Sequence, residues 1–142
     1  MEINLRGPEE RNYMIRVLVA EDSPHVLDGL SCLIRAQPDF DLVGTAKDGQ
    51  EALERALDLS PDVVIMDAQM PRLNGVEATR LLKQASQNVG VLFFSVFTEY
   101  LEASVVAGSD GYLCKDCEPT ALFAEIRRIA SRPSASRLPA AG

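Results

Sequence analysis

Short, mostly apolar runs alternate along the chain with longer stretches in which apolar residues recur every three or four positions. The runs at 15–20 (IRVLVA), 40–46 (FDLVGTA), 63–66 (VVIM), 91–94 (VLFF) and 111–114 (GYLC) read as strands. Between them the period changes. Ser23 and Pro24 offer a cap and a first-turn residue for a helix whose stripe is Val26, Leu30 and Leu33, flanked by Leu27 and Ile34. Residues 49–59 put Ala52, Ala56 and Leu59 on one face before Ser60-Pro61 stops the helix. Asn74-Gly75 opens a third helix with Ala78, Leu81, Leu82 and Ala85 on its stripe. A short helix is predicted over 99–107, and Pro119 starts the last, with Leu122, Ile126 and Ile129 inward. Five strands alternating with five helices predict an α/β domain: a doubly wound parallel sheet covered on both faces. Strands with near-continuous apolar residues, rather than one at every second position, suit such two-sided burial.

The same pattern bounds the domain. Residues 15–130 form one folded block. Residues 1–14, polar and containing Gly7-Pro8, read as an N-terminal extension, and 131–142 (SRPSASRLPAAG) has the composition of a linker. A chain of 142 residues buries enough surface to need no metal or disulfide staple. Charge narrows the partners. Lys and Arg total 14 against 21 Asp and Glu, a net −7, which repels a phosphate backbone, so direct nucleic-acid binding by this domain is not expected. No apolar run approaches the ~20 residues of a membrane span, and the charged N-terminus does not read as a secretory signal. Three cysteines, Cys32, Cys114 and Cys117, fit reduced thiols in a cytoplasm better than a disulfide framework.

In an open parallel sheet, ligands bind beyond the carboxyl ends of the strands. Here the first strand is followed by Glu21-Asp22, the third by Asp67, the fourth by Ser95 and the fifth by Lys115. Three converging carboxylates repel one another and call for a counter-cation. A few carboxylates with room for water is the Mg²⁺ pattern rather than a Ca²⁺ cage. A divalent ion, an ammonium and a hydroxyl around a carboxylate suit phosphoryl transfer, with the carboxylate as the nucleophile.

Four stretches, taken in order, carry a family resemblance: VLVAEDS from Val17, DVVIMDAQMP from Asp62, Asn74-Gly75, and GSDGYLCKD from Gly108. Together they resemble a bacterial two-component response-regulator receiver domain, over the whole 15–130 block. The Gly-Tyr-Leu-x-Lys-Asp ending is similar to receivers of the LuxR/NarL type, which precede a helix-turn-helix domain. The resemblance implies a flavodoxin-like strand order of 2-1-3-4-5. It implies that Asp67 is the phosphoacceptor and that Glu21, Asp22, Asp67 and the Gln69 backbone carbonyl hold Mg²⁺, with Asp22 the direct ligand and Glu21 acting through water. Lys115 would pair with the phosphoryl group, Ser95 would be the switch hydroxyl, and Tyr112 the switch aromatic. The implied donor is a sensor histidine kinase, a phosphotransfer protein or a small acyl phosphate. The implied location is the cytoplasm, the output transcriptional, and a homodimer is allowed with no face fixed. Such a protein is a phosphoacceptor with self-catalysed phosphorylation and dephosphorylation, not an enzyme.

Three features depart from the family's usual pattern. Ser95 and Lys115 are 20 residues apart, a spacing shorter than the resemblance leads one to expect, with the gap near 97–100. Asp116 follows Lys115 where many receivers have proline, so no cis peptide is expected there. The chain ends at Gly142 without room for an output domain, and the linker-like tail favours a fragment or remnant of a longer regulator. Two other functions remain open. One is a receiver-like interaction module that works without phosphorylation. The other is a Mg²⁺-dependent aspartyl-phosphate phosphatase, disfavoured because Gln69 stands where an acid/base Asp would be needed. A flavin binder is disfavoured because Glu21-Asp22 occupies the place of a phosphate-binding loop. Cys114 and Cys117 form a Cys-x-x-Cys spacing without a second pair, read as structural. His25 reads as a partly exposed helix residue, and Arg127-Arg128 as a solvated pair near a helix C-terminus.

Overall fold

The structure, a computed structural model, describes residues 14–132. The expected extension at 1–14 and tail at 131–142 therefore lie almost wholly outside the described residues. The elements run β1 (Ile15–Ala20), α1 (Pro24–Ala36), β2 (Phe40–Ala46), α2 (Gly49–Leu59), β3 (Val63–Met66), α3 (Gly75–Ala85), β4 (Gly90–Ser95), α4 (Leu101–Ala107), β5 (Gly111–Cys114) and α5 (Pro119–Ser131). All strand pairs are parallel and the order is β2-β1-β3-β4-β5, as the resemblance implies. None of the described helices is long and apolar enough to cross a membrane.

Helix starts follow their caps. The side chains of Ser23, Asp48 and Asn74 accept from the backbone N–H groups of Val26, Glu51 and Glu77, satisfying donors the first turn leaves free. Tyr100, at the start of α4, makes no such bond, and that helix begins at Leu101 rather than 99. Alternating strand side chains divide the core into two layers. Val17, Val19, Ile65, Leu92 and Phe94 pack with α1 and α5 residues on one face. Leu18, Ala20, Val64, Met66, Val91 and Phe93 pack with α2 and α3 residues on the other.

Some stripe residues move from their expected places. In α1 the buried positions are Leu27, Leu30, Ser31 and Ile34, with Val26 and Leu33 half-buried beside them. The buried face of α1 thus runs through Leu27, Leu30, Ser31 and Ile34 rather than through Val26, Leu30 and Leu33. In α3, Ala78 and Leu82 are buried, Leu81 is half-buried and Ala85 is exposed, since the helix ends there. β5 is half-buried throughout, as befits an edge strand.

The ends of the sheet are fastened differently. Before β5, Asp110 Oδ2 accepts from the Val91 amide at 2.9 Å and from Lys83 Nζ at 2.8 Å, and Asp110 Oδ1 lies 3.2 Å from Arg132 Nε. This knot joins α3, β4, β5 and α5 at the amino ends of the strands. At the carboxyl ends the backbones approach closely. A Cβ on Gly75 would lie 2.0 Å from the Asp67 carbonyl oxygen, whereas one on Gly29 in α1 would meet nothing.

Gly75→Ala is therefore expected to destabilise the protein by about 1–3 kcal/mol or more through overpacking, while Gly29→Ala gains about 0.5–1 kcal/mol of helix propensity. Chemical denaturation of the two variants checks both signs. Among the described residues, Thr79 Oγ1 is the one buried side-chain polar atom without a hydrogen-bond partner. Replacing it in Thr79→Val is expected to raise the denaturation midpoint by an amount worth about 1 kcal/mol.

Candidate functional site

Sheet register brings the strand-end residues together. Ala20 pairs with Met66, and Ser95 with Cys114. The Asp67 amide donates to the Ala20 carbonyl at 3.0 Å, and the Lys115 amide to the Ser95 carbonyl at 3.0 Å. Each charged side chain thus leaves the sheet one residue beyond its last paired position. Glu21, Asp22, Asp67, Gln69, Ser95 and Lys115 all line one cavity of about 260 Å³.

Glu21, Asp67 and Ser95 are buried, and Asp22 is exposed. Lys115 Nζ lies 2.7 Å from Glu21 Oε1 and 3.4 Å from Asp67 Oδ2, so the ammonium bridges the two buried carboxylates and leans toward Glu21. Glu21 Oε2 also accepts from the Ser23 amide at 3.1 Å, and Asp67 Oδ1 from the Gln69 amide at 3.4 Å. Ser95 Oγ accepts from the Phe97 amide at 3.3 Å. Burial raises the Asp67 carboxyl to about 6 and the Glu21 charge adds to this, against the pull of Lys115. Burial works to lower the Lys115 pKa, but the hydrogen bond to Glu21 and the charges of Asp67 and Glu21 outweigh it, and the ammonium is held above its ordinary value.

The donor set fits a hard divalent cation. One carboxylate oxygen from each of Glu21, Asp22 and Asp67 can be chosen so that all three lie within 4.8 Å of one another. Three carboxylates against one ammonium leave a charge deficit, and a six-coordinate ion with several waters relieves it.

Tyr112 stands apart from this cavity. Its ring stacks on Phe93, with centroids 6.0 Å apart and planes 9° apart, and its hydroxyl donates to the Phe97 carbonyl. It is thus tied to the β4–α4 connection that also carries Ser95. Tyr100 was not singled out in the sequence. Its hydroxyl accepts from Gln69 Nε2 at 2.6 Å, and nothing in the residue order signals a partnership 31 positions away. Arg72 is a second unforeseen residue. It sits at φ 68° and its side chain pairs with Asp48 at 2.9 Å, bracing the loop after Asp67 against the start of α2.

Cys114 and Cys117 are both free thiols. Cys114 Sγ lies 3.7 Å from the Val96 carbonyl, and Cys117 packs against the α1/α5 core layer. Burial and the nearby Asp116 raise the Cys117 thiol above its ordinary pKa, the reverse of a reactive thiolate. His25 is exposed. Arg127 is not simply solvated: it holds Asp39 at 2.8 Å and covers the Phe40 ring at 4.9 Å. Among the described residues there is no cis peptide bond.

A carboxyl whose pKa is raised by folding stabilises the protein only while protonated. The Asp67 contribution is full below its ordinary value of 3.8 and is lost as pH rises through about 6. Without divalent cations, Asp67→Asn is therefore expected to match the parent near pH 4 or below and to be more stable above pH 6, by on the order of 1–2 kcal/mol once solvent screening is allowed for. Thermal melts across that range check the sign, and added Mg²⁺ should shrink the gap.

Residues 17–127 match the family described as Response regulator receiver domain. Among its relatives, the transcriptional regulatory protein YxjL of Bacillus subtilis is 39% identical over 118 residues, covering 82% of this chain and 54% of YxjL. The nitrate/nitrite response regulator NarL of Escherichia coli is 34% identical over 117 residues, covering 81% of this chain and 54% of NarL. The chain thus spans about half the length of these relatives. A LuxR-family response regulator from Aurantimonas superposes with a TM-score of 0.79 at 30% identity, covering 83% of this chain and 86% of that one. With its 2-1-3-4-5 sheet and acidic cavity, the chain belongs to the response regulator receiver domain family, among relatives of the LuxR/NarL type.

Proposed function

We propose that this domain is the phosphorylated switch of a cytoplasmic two-component response regulator, with Asp67 as its phosphoacceptor. The observation that carries this reading is the buried Glu21–Lys115–Asp67 cluster beside Asp22. A nucleophilic carboxylate needs an adjacent cation and an ion site, and both are within reach. In the proposed step an Asp67 carboxylate oxygen attacks phosphorus and the donor's bond to phosphorus breaks. For a phosphohistidine of a sensor kinase or phosphotransfer protein that bond is P–N, and the ring nitrogen takes up a proton as it leaves. Mg²⁺, held by Glu21, Asp22, Asp67 and the Gln69 carbonyl, would supply charge neutralisation at the phosphoryl oxygens.

The chain's own residues do the remainder. Lys115 leans to Glu21 at rest and is free to turn to a phosphoryl oxygen when one arrives, giving a charge-assisted bond. Ser95 exchanges its bond from the Phe97 amide for one to the phosphoryl group. Tyr112, tied to the Phe97 carbonyl, follows the same segment. Phosphorylation would then bias two arrangements of the β4–α4 connection through different contacts in each. The output is proposed to be transcriptional, through a DNA-binding domain such as regulators of this type carry. Gln69 stands where an acid/base Asp would be needed to protonate an alkoxide leaving group, so turnover of phosphate monoesters is not expected.

Intact-mass measurement after incubation with a small acyl phosphate tests the reading. One phosphoryl adduct is expected on the parent, dependent on Mg²⁺ and absent from Asp67→Asn. A folded parent that takes no adduct overturns it in favour of a module that signals by binding alone.

A further inference from the structure

We infer that Cys114 and Cys117 form a redox site on the turn that carries Lys115: a small-molecule disulfide such as oxidised glutathione joins the two thiols, and the closed turn withdraws the Lys115 ammonium from Glu21 and Asp67. The effect on phosphoryl loading rests on the phosphoacceptor reading above, whereas formation of the disulfide does not.

The turn places the two residues. β5 ends at Cys114, and the Cys117 amide donates to the Cys114 carbonyl at 3.0 Å, the bond that closes a four-residue turn over Lys115 and Asp116. Such a turn holds its first and fourth Cα atoms within about 7 Å of each other, and a disulfide spans about 4.4–6.8 Å between Cα atoms. Both thiols are free and half-buried, so neither is sealed in the core away from a small oxidant.

In the reduced form each sulfur has its own neighbour. Cys114 Sγ lies 3.7 Å from the Val96 carbonyl, and Val96 lines the acidic cavity with Glu21, Asp67, Ser95 and Lys115. Cys117 packs against the α1/α5 core layer just ahead of Pro119, where α5 starts. Joining the sulfurs therefore takes Cys114 off the Val96 carbonyl and draws Cys117 toward it. Lys115 lies between them, its amide fixed to the Ser95 carbonyl at 3.0 Å and its Nζ 2.7 Å from Glu21 and 3.4 Å from Asp67. Contacts of that kind tolerate little rotation of the turn, because a charge-assisted bond weakens steeply with misalignment.

Burial, then the charges of Asp116 and Cys114, hold the Cys117 thiol above its ordinary pKa, which leaves the first attack to Cys114 and the second step to Cys117. The Cys114 thiol gives its proton to solvent, and its sulfur bonds to one sulfur of the donor. The donor's S–S bond breaks, and the other half leaves as a thiolate that takes up a proton. Cys117 then loses its proton, attacks the Cys114 sulfur, and releases the remaining half as a second thiol. One donor disulfide is thus reduced to two thiols, two protein thiols are oxidised to one disulfide, and the two protons pass to the released thiols. A disulfide in so short a loop near the surface is of the labile kind that a thiol reductant opens again, as a redox-sensing disulfide in a reducing compartment must be.

The test uses Cys32→Ser, which removes the exposed third thiol on α1, as the background. After oxidised glutathione, C32S is expected to lose the mass of two hydrogen atoms and to regain it with dithiothreitol. C32S/C117S should instead stop at a glutathione adduct on Cys114. Phosphoryl loading of C32S from a small acyl phosphate with Mg²⁺ is expected to fall at least about tenfold on oxidation, the range that one displaced charge-assisted hydrogen bond covers, and to recover on reduction. Loading of C32S/C114S/C117S should not respond to oxidised glutathione. The Lys115 ε-methylene resonances should shift on oxidation, a readout that needs no phosphorylation. Folded C32S that forms no internal disulfide overturns the site. A disulfide that leaves the Lys115 resonances in place, or the loading of a phosphorylatable protein unchanged, overturns its effect on Lys115. A reduced protein that takes no phosphoryl adduct, while the disulfide forms and moves Lys115, overturns the phosphoacceptor reading and leaves the redox site standing.

Discussion

Glu21 and Asp67 are buried within reach of a single ammonium, and the domain is arranged around that imbalance. Lys115 can satisfy one carboxylate closely, at 2.7 Å from Glu21, and the other only at 3.4 Å. Asp67 is left as the under-compensated member, and its carboxyl pKa is raised first by burial and then by the Glu21 charge. An isolated cluster of this kind would relax by moving apart. It cannot do so here, because Asp67 and Lys115 are hydrogen-bonded through their backbones to the ends of neighbouring strands. The charge deficit is therefore a fixed property of the sheet edge, and it suits a divalent cation.

The scaffold distributes rigidity unequally around this edge. At the amino ends of the strands, Asp110 joins Lys83, Arg132 and the Val91 amide in one knot. Beneath Asp67, α3 approaches so closely that Gly75 has no room for a side chain. Across the site, α4 has seven residues, buries only Ser104 and Ala107, and lacks a side-chain cap. Segments with few buried apolar contacts open at lower cost than the core. Val105 and Val106 are 61% and 83% exposed, so little apolar burial holds this helix down. Ser95 and Tyr112 through Phe97, and Tyr100 through Gln69, tie the segment ahead of this helix to the neighbouring strand ends. Under the proposed function, a change in charge at Asp67 would act on this lightly packed segment.

Local sequence determined most of this domain. The mostly apolar runs, the Ser23, Asp48 and Asn74 caps and the Pro24 and Pro119 starts act within a few residues of themselves, so the elements and their order follow from pattern. The charged residues closing those runs were legible as one cluster because all parallel strands end at the same edge. What tertiary structure alone decided lies between segments distant in the chain. The burial of Ser31 in α1, the loss of Ala85 from the core, the lean of Lys115 toward Glu21, the Arg72–Asp48 brace and the Gln69–Tyr100 bond have no local signature. Each depends on the distance and direction between side chains brought together by packing, quantities that a periodicity in one segment does not contain.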